Sequence, residues 1–177
     1  MYVLRPASLG DIPVIHRLQN IPYREKVFIE PLPALEEFLR ISEEKMHGEQ
    51  FYYMFEQDSA PLGFIEYRQK HETTSIWGRW LNTLVYGCAV LAFDDLQLSK
   101  LNWYTRAINK PMIKTCEKMK FRKTGEKDIC NITQGFSFIA IGKLIFYELT
   151  AEEFHANRHR MKELALPVEI RFRSSFF

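Results

Sequence analysis

The chain has 177 residues, 46% of them apolar and 26% charged, with a formal net charge of +2. That length supports one mixed α and β domain with a modest tail, and so small a charge gives no argument for nucleic acid by itself. The longest stretch without a strongly polar residue, Tyr86 to Phe93, is about half what a membrane-spanning helix needs. The opening residues lack the apolar core and small-residue cleavage site of a secretory leader. Cys88, Cys116 and Cys130 are odd in number and irregular in spacing, so the expectation is reduced thiols in a cytoplasmic protein with no membrane attachment. Fourteen phenylalanines imply a strongly aromatic core or an aromatic-walled groove.

In chain order, "YVLRPA" reads as a first strand. Ser8 and Asp11 fit a capping-box start, with Ile12, Ile15 and Leu18 as the buried stripe behind it. A second helix is predicted over Pro33 to Met46, with Leu35, Phe38, Ile41 and Met46 on its apolar side and Glu36 and Glu37 early, where the helix dipole favours them. The intervening "IPYREKVFIEPL" is rich in turns and aromatics and suits either a cleft cover or plain packing. The strand-like "FYYMFE" and "LGFIEYRQ", separated by "QDSAP", pair most simply as a hairpin. Gly63 begins the second strand where close backbone approach is wanted, and two-residue periodicity puts Glu66 on the face of Leu62 and Phe64.

After "KHETT", the segment "SIWGRWLNT" reads as a short strand leading into a turn. "LVYGCAVLAFDDL" reads as an almost fully buried helix. Gly87 costs it roughly 1 kcal/mol, which makes sense where helix and sheet approach closely. The strand "KLNWYTRA" follows. In "NKPMIKTCEKMKF", Asn109 can cap a short helix, Pro111 suits its first turn, and Met112, Cys116 and Met119 recur at helical spacing. Then come "FRKTGE", a looser stretch around residues 131–135, the strand-like "GKLIFYEL" and a terminal helix in "TAEEFHANRHRMKEL". The final "PVEIRFRSSFF" fits an edge strand, a contact in a homodimer, or a flexible tail. Basic residues gather in "NKPMIKTCEKMKFRKTGEK" and "HANRHRMKE", which suits either a solvated cationic face or an anionic ligand such as a phosphorylated cofactor.

This order of elements, with the blocks "LRPASLGDIPVIHRL", "PLGFIEY", "WGRWLNT", "AFDDLQLSKL", "NKPMIKTCEKMKF" and "FYELTAEEF", resembles the GNAT superfamily of acetyl-CoA-dependent N-acetyltransferases. The ribosomal-protein alanine and spermidine acetyltransferase branches are the most similar. The resemblance spans roughly residues 2 to 154 and implies an α+β fold of α/β/α layers, with a bent mixed sheet whose two central parallel strands splay apart. Those strands would end near Trp80 and Arg106. Acetyl-CoA would lie in the V between them, its pyrophosphate on the amides of the following helix, which have no intrahelical partner. Residues 1–154 would form this domain, with residues 155–177 a C-terminal helix and tail packed on it or extending from it.

The resemblance further implies that Gly78, Arg79, Trp80, Asn82 and Asn109 contact the cofactor. Arg79 would pair with phosphate, and Asn82 would help cap the helix. Three positions depart from the family pattern: Ser75 stands where glutamine or arginine is usual, Trp80 replaces the turn's second glycine, and Lys120 replaces the glycine before Phe121. The turn is therefore either a modified cofactor site or a purely structural one. Cys116 occupies the place of the tyrosine that protonates the departing CoA thiolate in many relatives, and is either a thiol acid or a buried structural thiol. Glu66, in "GFIE", matches a glutamate of the spermidine branch. Its alternatives are receiving the amine proton or recognising the amine, a structural ion pair, and simple exposure; Tyr67, His71 and Glu72 are weaker candidates near the same mouth.

Glu152, His155 and His159 share a helical face at spacings that would suit a metal, but a solvent-facing polar helix produces the same pattern. The sequence carries no P-loop, dinucleotide fingerprint, zinc cysteine cluster, hydrolase elbow or nucleic-acid module. The expected activity is acetyl transfer from acetyl-CoA to a primary amine of a peptide or small molecule. The competing expectation is an acetyltransferase fold with weak or no catalysis, serving as an acyl-CoA-binding or protein-interaction module.

Overall fold

The computed structural model describes residues 1–20, 32–46, 50–68, 73–78, 80–129 and 142–172. Most of the aromatic segment after the first helix, Arg79, His71 and Glu72, the stretch around 131–135 and the last five residues lie outside that description. The chain opens with strand β1 (Tyr2–Pro6), whose exit is fixed by charge. Asp11 accepts hydrogen bonds from the Ser8 amide and hydroxyl, both at 2.8 Å, and closes a single 3-10 turn ahead of helix α1 (Ile12–Gln19). Arg5 grips the same carboxylate through two 2.9 Å bonds and reaches Glu56 at 2.6 Å. One guanidinium thus ties the first strand, the helix start and the neighbouring strand together.

Helix α1 buries Ile12 and Ile15, and helix α2 (Leu35–Met46) adds Phe38. These pack on Tyr52, Met54 and Phe64, which project from one face of the hairpin of β2 (Gln50–Gln57) and β3 (Ala60–Arg68). The hairpin turns through Asp58 and Ser59, both with left-handed φ of 49° and 67°, the two-residue geometry whose twist matches paired strands. Phe55 pairs with Gly63 and Glu56 with Pro61, leaving Leu62 as the extra residue of a bulge. A bulge flips the alternation. Leu62 consequently packs against the larger core on the opposite side from Phe64, which corrects the expectation that Leu62, Phe64 and Glu66 share a face.

Strand β4 (Thr73–Gly78) leads into helix α3 (Leu81–Val90), which continues through a π turn (Leu91–Asp95). Every residue from Thr83 to Phe93 is buried. A Cβ on Gly87 would stand 2.6 Å from the Leu4 side chain, so the helix lies against β1 as closely as the glycine predicts. Strand β5 (Lys100–Arg106), helix α4 (Lys110–Lys118), β6 (Arg122–Asp128) and β7 (Lys143–Thr150) follow. Helix α5 (Ala151–Leu164) starts from a Thr150–Glu153 capping box and buries Phe154 and Met161. Short β8 (Val168–Ile170) pairs in parallel with β1, giving an edge strand where the sequence also allowed a loose tail.

The described residues form an eight-stranded mixed sheet in the order β6-β7-β5-β4-β3-β2-β1-β8. α1 and α2 cover one face at the β2–β3 end. α3, α4 and α5 cover the other, over a core that includes Leu4, Phe55, Ile65, Leu101, Trp103, Ile145, Tyr147 and Leu149. No helix among the described residues is long and apolar enough to cross a membrane.

Arg5 holds the Asp11 carboxyl down from its ordinary 3.8 to about 2. A depressed carboxyl stabilises the fold above its unfolded value and loses that contribution as pH falls toward the folded one. Asp11→Asn is therefore expected to cost about 1–2 kcal/mol near neutral pH. In chemical denaturation, the gap between wild type and variant should shrink as pH falls from 3.8 toward 2; a gap independent of pH in that range would contradict the assignment.

Candidate active site

Parallel strands need evenly spaced rungs to stay together. Among the described residues β4 and β5 share one, Thr73 with Asn102. Past it, β4 continues in register with β3 alone and β5 with β7 alone, so the middle of the sheet opens into a V. Among the described residues no further rung joins the two arms across the gap. An unpaired edge of this kind suits a slender, extended ligand that brings its own amides.

The open end of the V meets two helix starts. On the β4 arm the strand ends at Gly78 and Trp80 opens α3. Gly78 has φ +131°, and a Cβ on it would fall 2.4 Å from the Gly63 Cα and 2.5 Å from the Leu62 carbonyl oxygen. Gly63 is its register partner, so two glycines let β3 and β4 close up where the chain leaves the sheet. Ser75, expected to open the turn, is inside β4 and in register with Glu66. Trp80 is the N-cap residue of α3 in left-handed conformation at φ 60°, and among the described residues no side chain caps this helix start. Its ring is half exposed and meets the Tyr2 ring edge-on at 6.4 Å. The first amides of α3, those of Leu81 and Asn82, precede the bonds that the Thr83 and Leu84 amides donate to the Trp80 carbonyl. A helix start of this form attracts an anion.

The Asn82 side chain does not cap α3, contrary to expectation. Its Nδ2 donates to the Leu164 carbonyl at 3.3 Å, and its Oδ1 accepts from the Thr115 hydroxyl at 3.2 Å. Thr115 lies on α4, which follows the β5 arm. One amide thus links the helices that hang from the two arms. On the β5 arm, Asn109 caps α4 as its spacing predicts, its Oδ1 accepting from the Met112 amide at 3.4 Å, with Pro111 in the first turn.

Glu66 is 6% exposed and belongs to the sheet face that carries α1 and α2. Arg68 Nε donates to its carboxylate at 2.7 Å. The register sets Glu66 beside Ser75 on the β4 arm, one step into the opening from the Thr73–Asn102 rung. The same step on the β5 arm is Tyr104, which is 55% exposed and was not singled out from the sequence. Its signal was available: it follows Asn102 by two residues, the strand period.

Cys116 faces the other way. It is fully buried in the core beneath β5 and β7, and burial pushes its thiol up to about 12. The thiol has no exposed surface, the setting of a packed cysteine. His155 and His159 lie on exposed turns of α5, where His159 Nε2 approaches Glu163 at 3.1 Å.

No protein-family model and no curated protein sequence matches the chain. Solved structures do. A spermidine N-acetyltransferase from Vibrio cholerae in complex with CoA and spermine superposes with a TM-score of 0.75 at 15% identity, covering 87% of this chain and 98% of that one. The spermidine/spermine N-acetyltransferase SpeG from the same organism, in complex with manganese ions, gives 0.69 at 18% identity over 89% and 96%. The fold is the acyl-CoA N-acyltransferase-like fold, a mixed sheet flanked by helices, and the resemblance read from the sequence extends to three dimensions.

Gly78→Ala is expected to destabilise by about 3 kcal/mol or more, because it adds a Cβ overlap to a φ that L-residues avoid. Equilibrium denaturation measures this, and a cost within 0.5 kcal/mol, roughly what an unconstrained surface change gives, would contradict it. Alkylation of Cys116 at pH 8, read by peptide mass spectrometry, should be at least about a hundredfold slower in the folded protein than in denaturant. Comparable rates would show that the thiol reaches a surface.

Proposed function

We propose that the protein is an acetyl-CoA-dependent N-acetyltransferase acting on a primary amine. The observation that carries this reading is the V itself: a gap between two central strands that ends at an uncapped helix start, with a buried carboxylate beside it. The likeness to acetyltransferase structures supports the coarser part, an acetyltransferase of the GNAT kind acting on amines.

The donor supplies an activated acetyl thioester. In this reading the unpaired edges of β4 and β5 take its extended arm, and the Leu81 and Asn82 amides face its pyrophosphate. Gly78 shapes the turn, and Arg79 is proposed to face the phosphates. Trp80 stands against Tyr2 at the rim of the turn. Asn82 and Asn109 act from behind, the first by tying α3 to α4 and the second by fixing the start of α4. Amides along the β4 edge polarise the thioester carbonyl as charge develops on its oxygen.

Glu66 acts on the amine side, held in orientation by Arg68. As nitrogen bonds to the carbonyl carbon, its proton passes to the Glu66 carboxylate and on to solvent, and the carbon–sulfur bond breaks. The leaving thiolate is that of an ordinary thiol, whose pKa of about 8.5 lets it depart and take a proton from water without a dedicated acid. This account therefore asks nothing of Cys116. Trp80 in place of a glycine favours a second reading, in which the fold binds acyl-CoA or a protein partner and turns over weakly.

Calorimetry with acetyl-CoA separates the two in part. The first reading requires binding in the roughly micromolar to millimolar range of enzyme substrates, and no binding well above it would end that reading. Glu66→Gln should lower kcat by about 10²–10⁴-fold across an amine panel, measured by release of free CoA, with acetyl-CoA affinity nearly unchanged. Undiminished turnover would remove Glu66 from the chemistry.

A further inference from the structure

An aromatic side chain on an interior strand is ordinarily covered by the layer packed above it. Tyr104 departs from that rule. Its strand, β5, lies between β7 and β4, yet Tyr104 is 55% exposed. No other large apolar side chain within a strand is exposed among the described residues. Strand alternation accounts for its neighbours, since Trp103 and Thr105 are buried on the opposite face. On its own face, Asn102 two residues before is half-buried and Arg106 two residues after is buried. The opening is therefore local, and its place in the register matters.

Glu66 is in register with Ser75, and both Ser75 and Tyr104 stand two residues beyond the Thr73–Asn102 rung. The exposed ring thus lies at the level of the buried carboxylate, on the same face and across the V from it. Phe146, in register with Tyr104, sets a second ring behind it at 5.9 Å between centroids and 46° between planes. Lys127 Nζ stands 5.8 Å over that second ring, which leaves Tyr104 as the platform beside the V. Next in the row is Gly125, where a Cβ would meet nothing within 4 Å. Helices α1 and α2 cover this face at the β2–β3 end.

The carboxylates of this face on β3 to β7 are already matched. Among the described residues they are Glu66, which holds Arg68 at 2.7 Å, and Glu148, which holds Arg122 and lies 3.8 Å from Lys100. The further ammonium groups of a polyamine would meet no unmatched anion there, whereas a flat ring would cover the exposed face of Tyr104. We infer that the acceptor is a primary amine carrying an aromatic ring, seated on Tyr104 with its nitrogen over the V toward Glu66. This inference rests on the proposed acetyl transfer and names the substrate class of that same site. From β3 to β5 is two strand spacings, roughly 10 Å before the opening of the V is added. A hydrogen bond of about 3 Å at one end and a ring contact of about 4 Å at the other leave room for a spacer of roughly two to four atoms between nitrogen and ring. An arylalkylamine and a peptide whose first residue is aromatic share this chemistry.

The test uses the full chain with acetyl-CoA and two matched pairs of acceptors, with spermidine as a fifth. One pair is 2-phenylethylamine and propylamine; the other is the peptide amides Phe-Ala-Ala and Ala-Ala-Ala. In at least one pair the aromatic member should exceed its counterpart by about tenfold in kcat/KM, and the pair that shows this identifies the source of the amine. Tyr104→Ala should bring the ratio close to one, and Tyr104→Phe should keep it. A general loss of folding would lower both members alike and leave the ratio unchanged. Equal kcat/KM within both pairs, faster turnover of spermidine than of either aromatic acceptor, or an unaltered ratio in Tyr104→Ala would overturn the inference while leaving acetyl transfer standing. Saturation-transfer NMR of 2-phenylethylamine and the Phe-Ala-Ala amide with CoA present keeps the two proposals apart. Ring signals that Tyr104→Ala abolishes, with no turnover of any acceptor, would uphold the aromatic seat while the acetyl-transfer reading fell; no ring signal and no turnover would overturn both.

Discussion

One rung of backbone pairing, Thr73 to Asn102, determines most of what is distinctive here. Two parallel strands that share one rung among the described residues and then part would ordinarily leave a sheet weak at its centre. The halves are instead stiffened separately, β4 by the bulged hairpin of β2 and β3, and β5 by the antiparallel β6–β7 pair. Beneath the gap lies α3, buried along almost its whole length, and the Asn82–Thr115 hydrogen bond couples it to the helix below the other arm. The gap is thus a fixed feature of the packing.

The same geometry assigns work to each face of the sheet. One face is apolar from Leu4 to Leu149 and carries Cys116 into the core. The other is covered by α1 and α2 at one end and, beside the V, carries the buried Glu66 and the exposed Tyr104. A donor lying in the gap and an acceptor arriving over that second face would meet at the level of Glu66. This division is why Glu66 and Cys116, paired as catalytic candidates in the sequence, part company in three dimensions: they occupy opposite sides of the sheet.

The features legible in the sequence were those that local chemistry dictates. The capping box at Ser8 and Asp11, the Asn109 cap, the hairpin, the wholly apolar helix and the need for glycine at position 87 each follow from neighbouring residues. Element order then supplied the fold. The unread features depend on relations between distant residues. A single bulge at Leu62 defeated the two-residue alternation, because periodicity cannot reveal where an extra residue is inserted. Asn82 sits where a helix cap is expected, yet its partners, Thr115 and Leu164, come from two other helices. Tyr104 acquires meaning only once the register places it across the V from Glu66.

The account turns on whether the V and the α3 start hold one ligand between them. A crystal structure of the protein with CoA tests this most directly. The account predicts the pantetheine arm between β4 and β5 and the pyrophosphate against the amides of Leu81 and Asn82, with Trp80 remaining beside Tyr2. A structure in which CoA binds elsewhere, or in which the Trp80 ring fills the phosphate position, would contradict it.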